Sequence, residues 1–196
     1  MRFALAVWCS CAGGWFDELE AQDTKEILAC QVPFLSYKGL SRGRTVLYEI
    51  RGQNIPDDQP IEDGFDSWTS RNASSGVSVS YVPGSTSEIS GIVLTRGDAG
   101  STDGLANYGS FDPTVSGGRV LGGSLVISDR TDRVTTGDGF RRITQHELGH
   151  AHGLDHWENV PQKISVMRSP NTFNGAALAD FVTQCDGLRA FQREDN

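Results

Sequence analysis

HELGHAHGLDHW, residues 146–157, contains every histidine of the 196-residue chain: His146, His150, His152 and His156. The flanking sequence tells what backbone they sit on. Phe140, Ile143, Leu148 and Ala151 recur at the helical period, and Asp138 is a suitable N-cap, so a helix is predicted from about 138 until Gly153 stops it. On that helix His146 and His150 stand one above the other, one turn of ~5.4 Å apart. Gly153 supplies a residue able to take φ > 0, which reverses the chain and brings His156 back toward the pair. Three imidazoles then share one ion. Zinc takes three protein ligands in a catalytic site and leaves the fourth tetrahedral position for water. Glu147, directly after the first ligand, stands beside that open position, where a carboxylate can take the water's proton. His152, two residues from His150, lies on another side of the helix, as a bystander or a hydrogen-bonder behind the ligands.

A bare HExxH is only moderately specific, and a solvated helix face can carry it. With the Gly and the third His included, five fixed positions arise by chance in a chain of this length on the order of once in 10⁵. Zinc lowers the pKa of its water toward ~7 and polarises a carbonyl, so Glu147 can pass the proton on to a leaving amine. The chemistry expected is peptide-bond hydrolysis, on a peptide or protein substrate. The rival reading is a catalytically weak or inactive zinc-containing protein of the same fold that only holds peptide. Glu147 speaks against it, because a structural site closes its fourth position and has no use for that acid. A zinc hydrolase acting on other substrates has the same metal site.

Upstream, TVLYEI (45–50) alternates Val46, Tyr48 and Ile50 as a half-buried strand does. PIEDGFDSWTSRN puts Ile61, Phe65 and Trp68 on one helical face, with Glu62 and Asp63 in the first turn. GVSVSYVP alternates again, whereas GIVLT (91–95) and GSLVIS (123–128) have the composition of buried strands, with a short irregular strand expected within LANYGSFDP. A last helix is predicted over about 175–191, with Leu178, Phe181, Cys185 and Leu188 facing the core.

The chain is long enough for one domain with a sizeable core. A net charge of −8 and pI near 4.9 exclude a basic stripe for nucleic acid or anionic membrane. MRFALAVWCSCAGG has a positive start, a short apolar run and small residues at Ser10 and Ala12, the pattern of a signal peptide over 1–12 and hence of a secreted or extracytoplasmic protein. The alternative is a buried N-terminal segment; either way the run is too short to span a membrane. Residues 13–44 then form an N-terminal segment and 45–196 the catalytic domain. Removing 1–12 leaves Cys30 and Cys185, either as a disulfide closing a long loop or as two buried thiols. Acids of the 98–132 loops, Asp98, Asp103, Asp112 and Asp129, are either oxygen ligands for Ca²⁺ or ordinary turn residues. Asn72, in NAS, is a glycosylation acceptor in a eukaryotic secretory pathway and otherwise a helix-end residue.

His146, Glu147, His150, Gly153 and His156, followed by Met167 in SVM (165–167), resemble the extended motif of the metzincin zinc endopeptidases, HExxHxxGxxH with a downstream Met-turn. The order of elements over 45–191 is similar to matrixin-like catalytic domains. The resemblance implies an α+β, zincin-like fold: a twisted mixed β-sheet, an active-site helix, a Met-turn with Met167 as the apolar floor of the site, and a C-terminal helix. It implies one catalytic Zn²⁺; the sequence leaves the oligomeric state open, with a monomer as the expectation. It also implies that the edge segment Leu105, Ala106, Asn107, Tyr108 and Gly109 binds substrate backbone, and that residues 168–172 wall the pocket beyond the cleavage point. Trp157, after the third histidine, matches no subfamily, and no histidine remains for the second, structural zinc of matrixins. CQVP (30–33) is a faint likeness of the cysteine-switch segment of matrixin propeptides but lacks the Arg before the Cys.

Overall fold

The computed structural model describes residues 30–52, 58–102, 105–128, 137–158, 164–168 and 181–195. The expected signal peptide, Asp103, Asp129, Leu178 and residues 169–172 lie outside them. A five-stranded mixed sheet forms the centre. It comprises β1 (Thr45–Arg51), β2 (Ser80–Pro83), β3 (Ile92–Gly97), β6 (Gly109–Ser116) and β7 (Arg119–Ser128), in the order β2-β1-β3-β7-β6. The first four in that order run parallel, and β6 lies antiparallel on the edge beside β7. Two short strands, β4 (Ser101–Thr102) and β5 (Leu105–Ala106), pair separately.

Strand position follows composition. Ile92, Val93 and Leu94 are all buried, so β3 is covered on both faces and takes the middle place. β1 alternates: Val46 and Tyr48 face the core, while Leu47 is exposed on the other face beside Val82 of β2. Among the described residues the helices are α1 (Gln59–Ser75), α2 (Gly137–Ala151) and α3 (Gln184–Asp195). α1 packs against α2 and α3, and α2 lies against β6 and β7. Ile61, Phe65 and Trp68 of α1 are fully buried, as their spacing predicts, and Phe65 stacks on Tyr48 at 3.9 Å.

Several boundaries differ from the sequence expectation. The strand expected from Gly76 begins at Ser80, because the carbonyl of Asn72 takes the N–H groups of Gly76, Val77 and Ser78 in the turn that ends α1. Asn72 is itself fully buried with its amide donating to Val79 O, so it is a helix-end residue and not a glycosylation acceptor. Asp138 lies inside the first turn of α2, paired with Arg141 at 3.0 Å, and is not the N-cap. α3 starts at Gln184, so Phe181 precedes it; its ring is 61% exposed and faces the Arg141 guanidinium. The sheet's edge strand is 109–116, whereas Leu105–Ala106 belongs to the separate hairpin.

Residues 30–40 form a strap that belongs to the same core. Val32 and Leu40 are fully buried, and Cys30 is disulfide-bonded to Cys185 of α3 with Cα atoms 5.4 Å apart. Arg189 and Arg193 of α3 donate to the carbonyls of Val32, Leu35 and Tyr37, so otherwise orphaned strap carbonyls are satisfied by guanidinium groups.

Candidate metal centre

α2 sets the first two imidazoles and the turn after it sets the third. The helix ends at Ala151, and Gly153 adopts φ 76°, the left-handed conformation that a Cβ disfavours by about 1–2 kcal/mol. The space is also closed: a Cβ on Gly153 would sit 2.9 Å from Gly39 N. His156 is thereby turned back toward α2, with its Nε2 3.0 Å from His146 Nε2 and 3.2 Å from His150 Nε2. Nitrogens bound tetrahedrally at about 2.0–2.1 Å from one zinc ion stand ~3.3 Å apart. Two of the three separations thus match the spacing around one ion, and all three ligand atoms lie within 4.8 Å of one another.

Proton placement agrees. His146 Nδ1 lies 2.7 Å from Val166 O and His150 Nδ1 2.8 Å from Leu154 O. A carbonyl only accepts, so each Nδ1 carries the proton and each Nε2 turns its lone pair inward, the tautomer a metal requires. Burial and the neighbouring imidazoles push His146 well below its usual pKa, and burial and His156 bring His150 down to about 4. Burial also lowers His156. All three are neutral donors at neutral pH. Among the described residues these histidines form the one group of three or more potential ligands.

Glu147 is 5% exposed, and burial raises its carboxyl to about 8. It lies under the start of the edge strand, since a Cβ added to Gly109 would come within 2.8 Å of its Oε1. Met167 is fully buried beneath the helix, and a Cβ on Gly149 would overlap its Sδ. Trp157 follows the third histidine and bonds Met167 O through its N–H at 2.7 Å, bridging in parallel to Arg168. Of the expected edge contacts, Gly109 begins β6 and Tyr108 O extends its ladder by accepting the N–H of Ser128 at the end of β7, whereas Asn107 bonds back to Gly100 and Ala99. Asp98 accepts the Gly100 N–H in a turn, and a bonded Cys30 has no thiolate to serve as a switch.

His152 is not part of the centre. It stacks on Trp68 at 4.4 Å and its Nε2 meets Tyr81 Oη at 3.0 Å, both behind the helix. Sequence reasoning missed Val166 O and Leu154 O, which orient the rings, because a backbone acceptor has no sequence signature. It also missed Asp186, although Thr183-x-x-Asp186 has the form of a capping box: Thr183 N–H donates to the carboxylate and Asp186 N–H to the hydroxyl.

No family model matches the chain, and neither does any curated protein. Among solved structures the fold is similar to archaemetzincin from Methanopyrus kandleri, with a TM-score of 0.50 and 16% identity over 85% of this chain and all of that one. The mixed five-stranded sheet with three helices is thus an architecture shared with archaemetzincin, and in this chain it brings three histidines together as a site that fits zinc.

Proposed function

We propose that the protein is a zinc-dependent endopeptidase. The observation that carries this reading is the convergence of three neutral Nε2 lone pairs, with the buried Glu147 next in sequence to the first of them and its carboxylate close to Gly109 at the start of the terminal antiparallel strand. His146, His150 and His156 would hold the ion, which when bound acidifies a water and polarises a substrate carbonyl. Glu147, whose carboxyl the positive charge of a bound ion would bring back to the ionised form, would take a proton from the attacking water and give it to the amine nitrogen as the C–N bond breaks. An extended peptide would add by main-chain hydrogen bonds to β6, the terminal strand of the sheet among the described residues, with its scissile bond near Gly109 and Glu147. Met167 is the apolar floor that limits movement of the histidines, the role of a Met-turn residue. The Cys30–Cys185 bond suits an oxidising, extracytoplasmic location.

Purified protein should contain one zinc per chain. Glu147→Ala should keep that zinc and lose ~10²-fold or more of its cleavage of an unfolded protein substrate. Cleavage undiminished in Glu147→Ala, or a wild-type protein that binds no zinc, overturns the reading. Peptide that binds wild-type protein and stays intact would establish the non-catalytic alternative.

A further inference from the structure

The two carbonyls that orient the ligand imidazoles lie on different loops, and both loops are anchored at the same place. Asp186, in the first turn of α3, is fully buried and accepts the Ser165 hydroxyl at 2.5 Å and the Val166 N–H at 3.2 Å, besides the N–H and hydroxyl of Thr183. Ser165 Oγ in turn accepts the Met167 N–H. Val166 is the residue whose carbonyl receives the proton of His146 Nδ1. One carboxylate thus holds the backbone that aims the first ligand.

The preceding residue, Cys185, is bonded to Cys30. Three residues beyond Cys30 the strap pairs with the turn after α2: Asp155 N–H donates to Pro33 O and Leu35 N–H to Gly153 O, both at 2.9 Å, with Phe34 opposite Leu154. Leu154 supplies the carbonyl for His150 Nδ1, and Asp155 accepts the N–H of His156 through its side chain. The strap therefore supports the second and third ligands.

We propose that Cys185 and Asp186 are positioning residues for the metal ligands, Asp186 acting on His146 through residues 165–167 and the Cys30–Cys185 bond acting on His150 and His156 through residues 33–35. The inference rests on the reading of the three histidines as zinc ligands. A ring whose N–H acceptor wanders no longer aims its lone pair, and ion binding must then order the loop as well. Groups behind metal ligands typically contribute 10–100-fold in affinity. Asp186 should fall in that range. The disulfide should give about 10-fold, at the low end, because Arg189 and Arg193 also tie the strap to α3.

The test uses the full chain and the variants Asp186→Asn, Ser165→Ala and Cys30→Ser/Cys185→Ser, each checked for fold by far-UV circular dichroism. Zinc affinity is measured by competition with a chromophoric chelator, and the Nδ1–H resonances of the imidazoles by proton NMR of the Co²⁺-substituted protein. Asp186→Asn should weaken zinc about 10–100-fold and shift the His146 N–H while sparing that of His150. The cysteine variant should do the reverse, with about 10-fold weaker zinc. Should Asp186→Asn not fold, Ser165→Ala, which loses only a hydroxyl, should still shift the His146 signal. Folded variants that bind zinc as tightly as wild type, or that shift both resonances alike, overturn the positioning roles. Wild-type protein that binds no zinc overturns instead the functional reading on which they rest.

Discussion

His146 and His152 are six residues apart on one segment, yet their surroundings give them unrelated work. His152 fills a buried slot between Trp68 and Tyr81. His152→Ala should therefore cost about 3 kcal/mol, from the cavity and the stranded Tyr81 hydroxyl, and leave zinc affinity unchanged. Urea unfolding of the metal-free protein beside a zinc titration checks both halves. Gly149 and Met167 are tied by volume alone, since a Cβ on the glycine occupies the place of the methionine sulfur. Gly149→Ala should destabilise by about 1–3 kcal/mol, and much of that should disappear in the Met167→Ala background. Additive effects in that double-mutant cycle would show that the two do not touch. The clustering of His146, His150 and His156 was legible because sharing one ion demands particular residue types at particular spacing. The role of His152 was not, because Trp68 and Tyr81 lie 84 and 71 positions away.

Elements divide along similar lines. α1 was legible from Ile61, Phe65 and Trp68, whose burial is dictated by local period. β6 was only partly legible: the irregular strand expected within LANYGSFDP covers its first half, but GSFDPTVS lacks a clear alternation, and β7, its partner in the ladder, carries it on to Ser116. β1 shows a further tertiary tie. Glu49 accepts Arg51 and the Thr86 N–H at 2.9 Å each, which fastens the loop after β2 and lowers the carboxyl from 4.5 to about 2. A carboxylate with a depressed native pKa adds stability above its unfolded pKa and loses it as pH falls through the native value. Glu49→Gln should lower the urea midpoint at pH 7, and the difference from wild type should shrink from about pH 4.5 down to about pH 2. A difference that stays constant across that range would show that the charge is not what holds the loop.

At the scale of the molecule, the strap and α3 close the fold across its greatest sequence separation. Cys30 and Cys185 are 155 positions apart, so their bond restricts the unfolded chain strongly, by about 2–5 kcal/mol. Replacing both with Ser should lower the Tm of the metal-free protein by about 10 °C. A change under about 2 °C would mean that the arginine contacts of α3 suffice to hold the strap.

What the sequence determined by itself was the spacing that clusters the three histidines, the helix that presents two of them, the turn at Gly153 and most of the apolar pattern, because each depends on neighbours within a dozen residues. What only the tertiary structure decided was which strand ends the sheet among the described residues, which carbonyls face the Nδ1 atoms, and that α3 is tied both to residues 165–166 and to the strap. Those depend on backbone groups and on residues up to 155 positions apart, whose meeting the packing of the whole chain dictates.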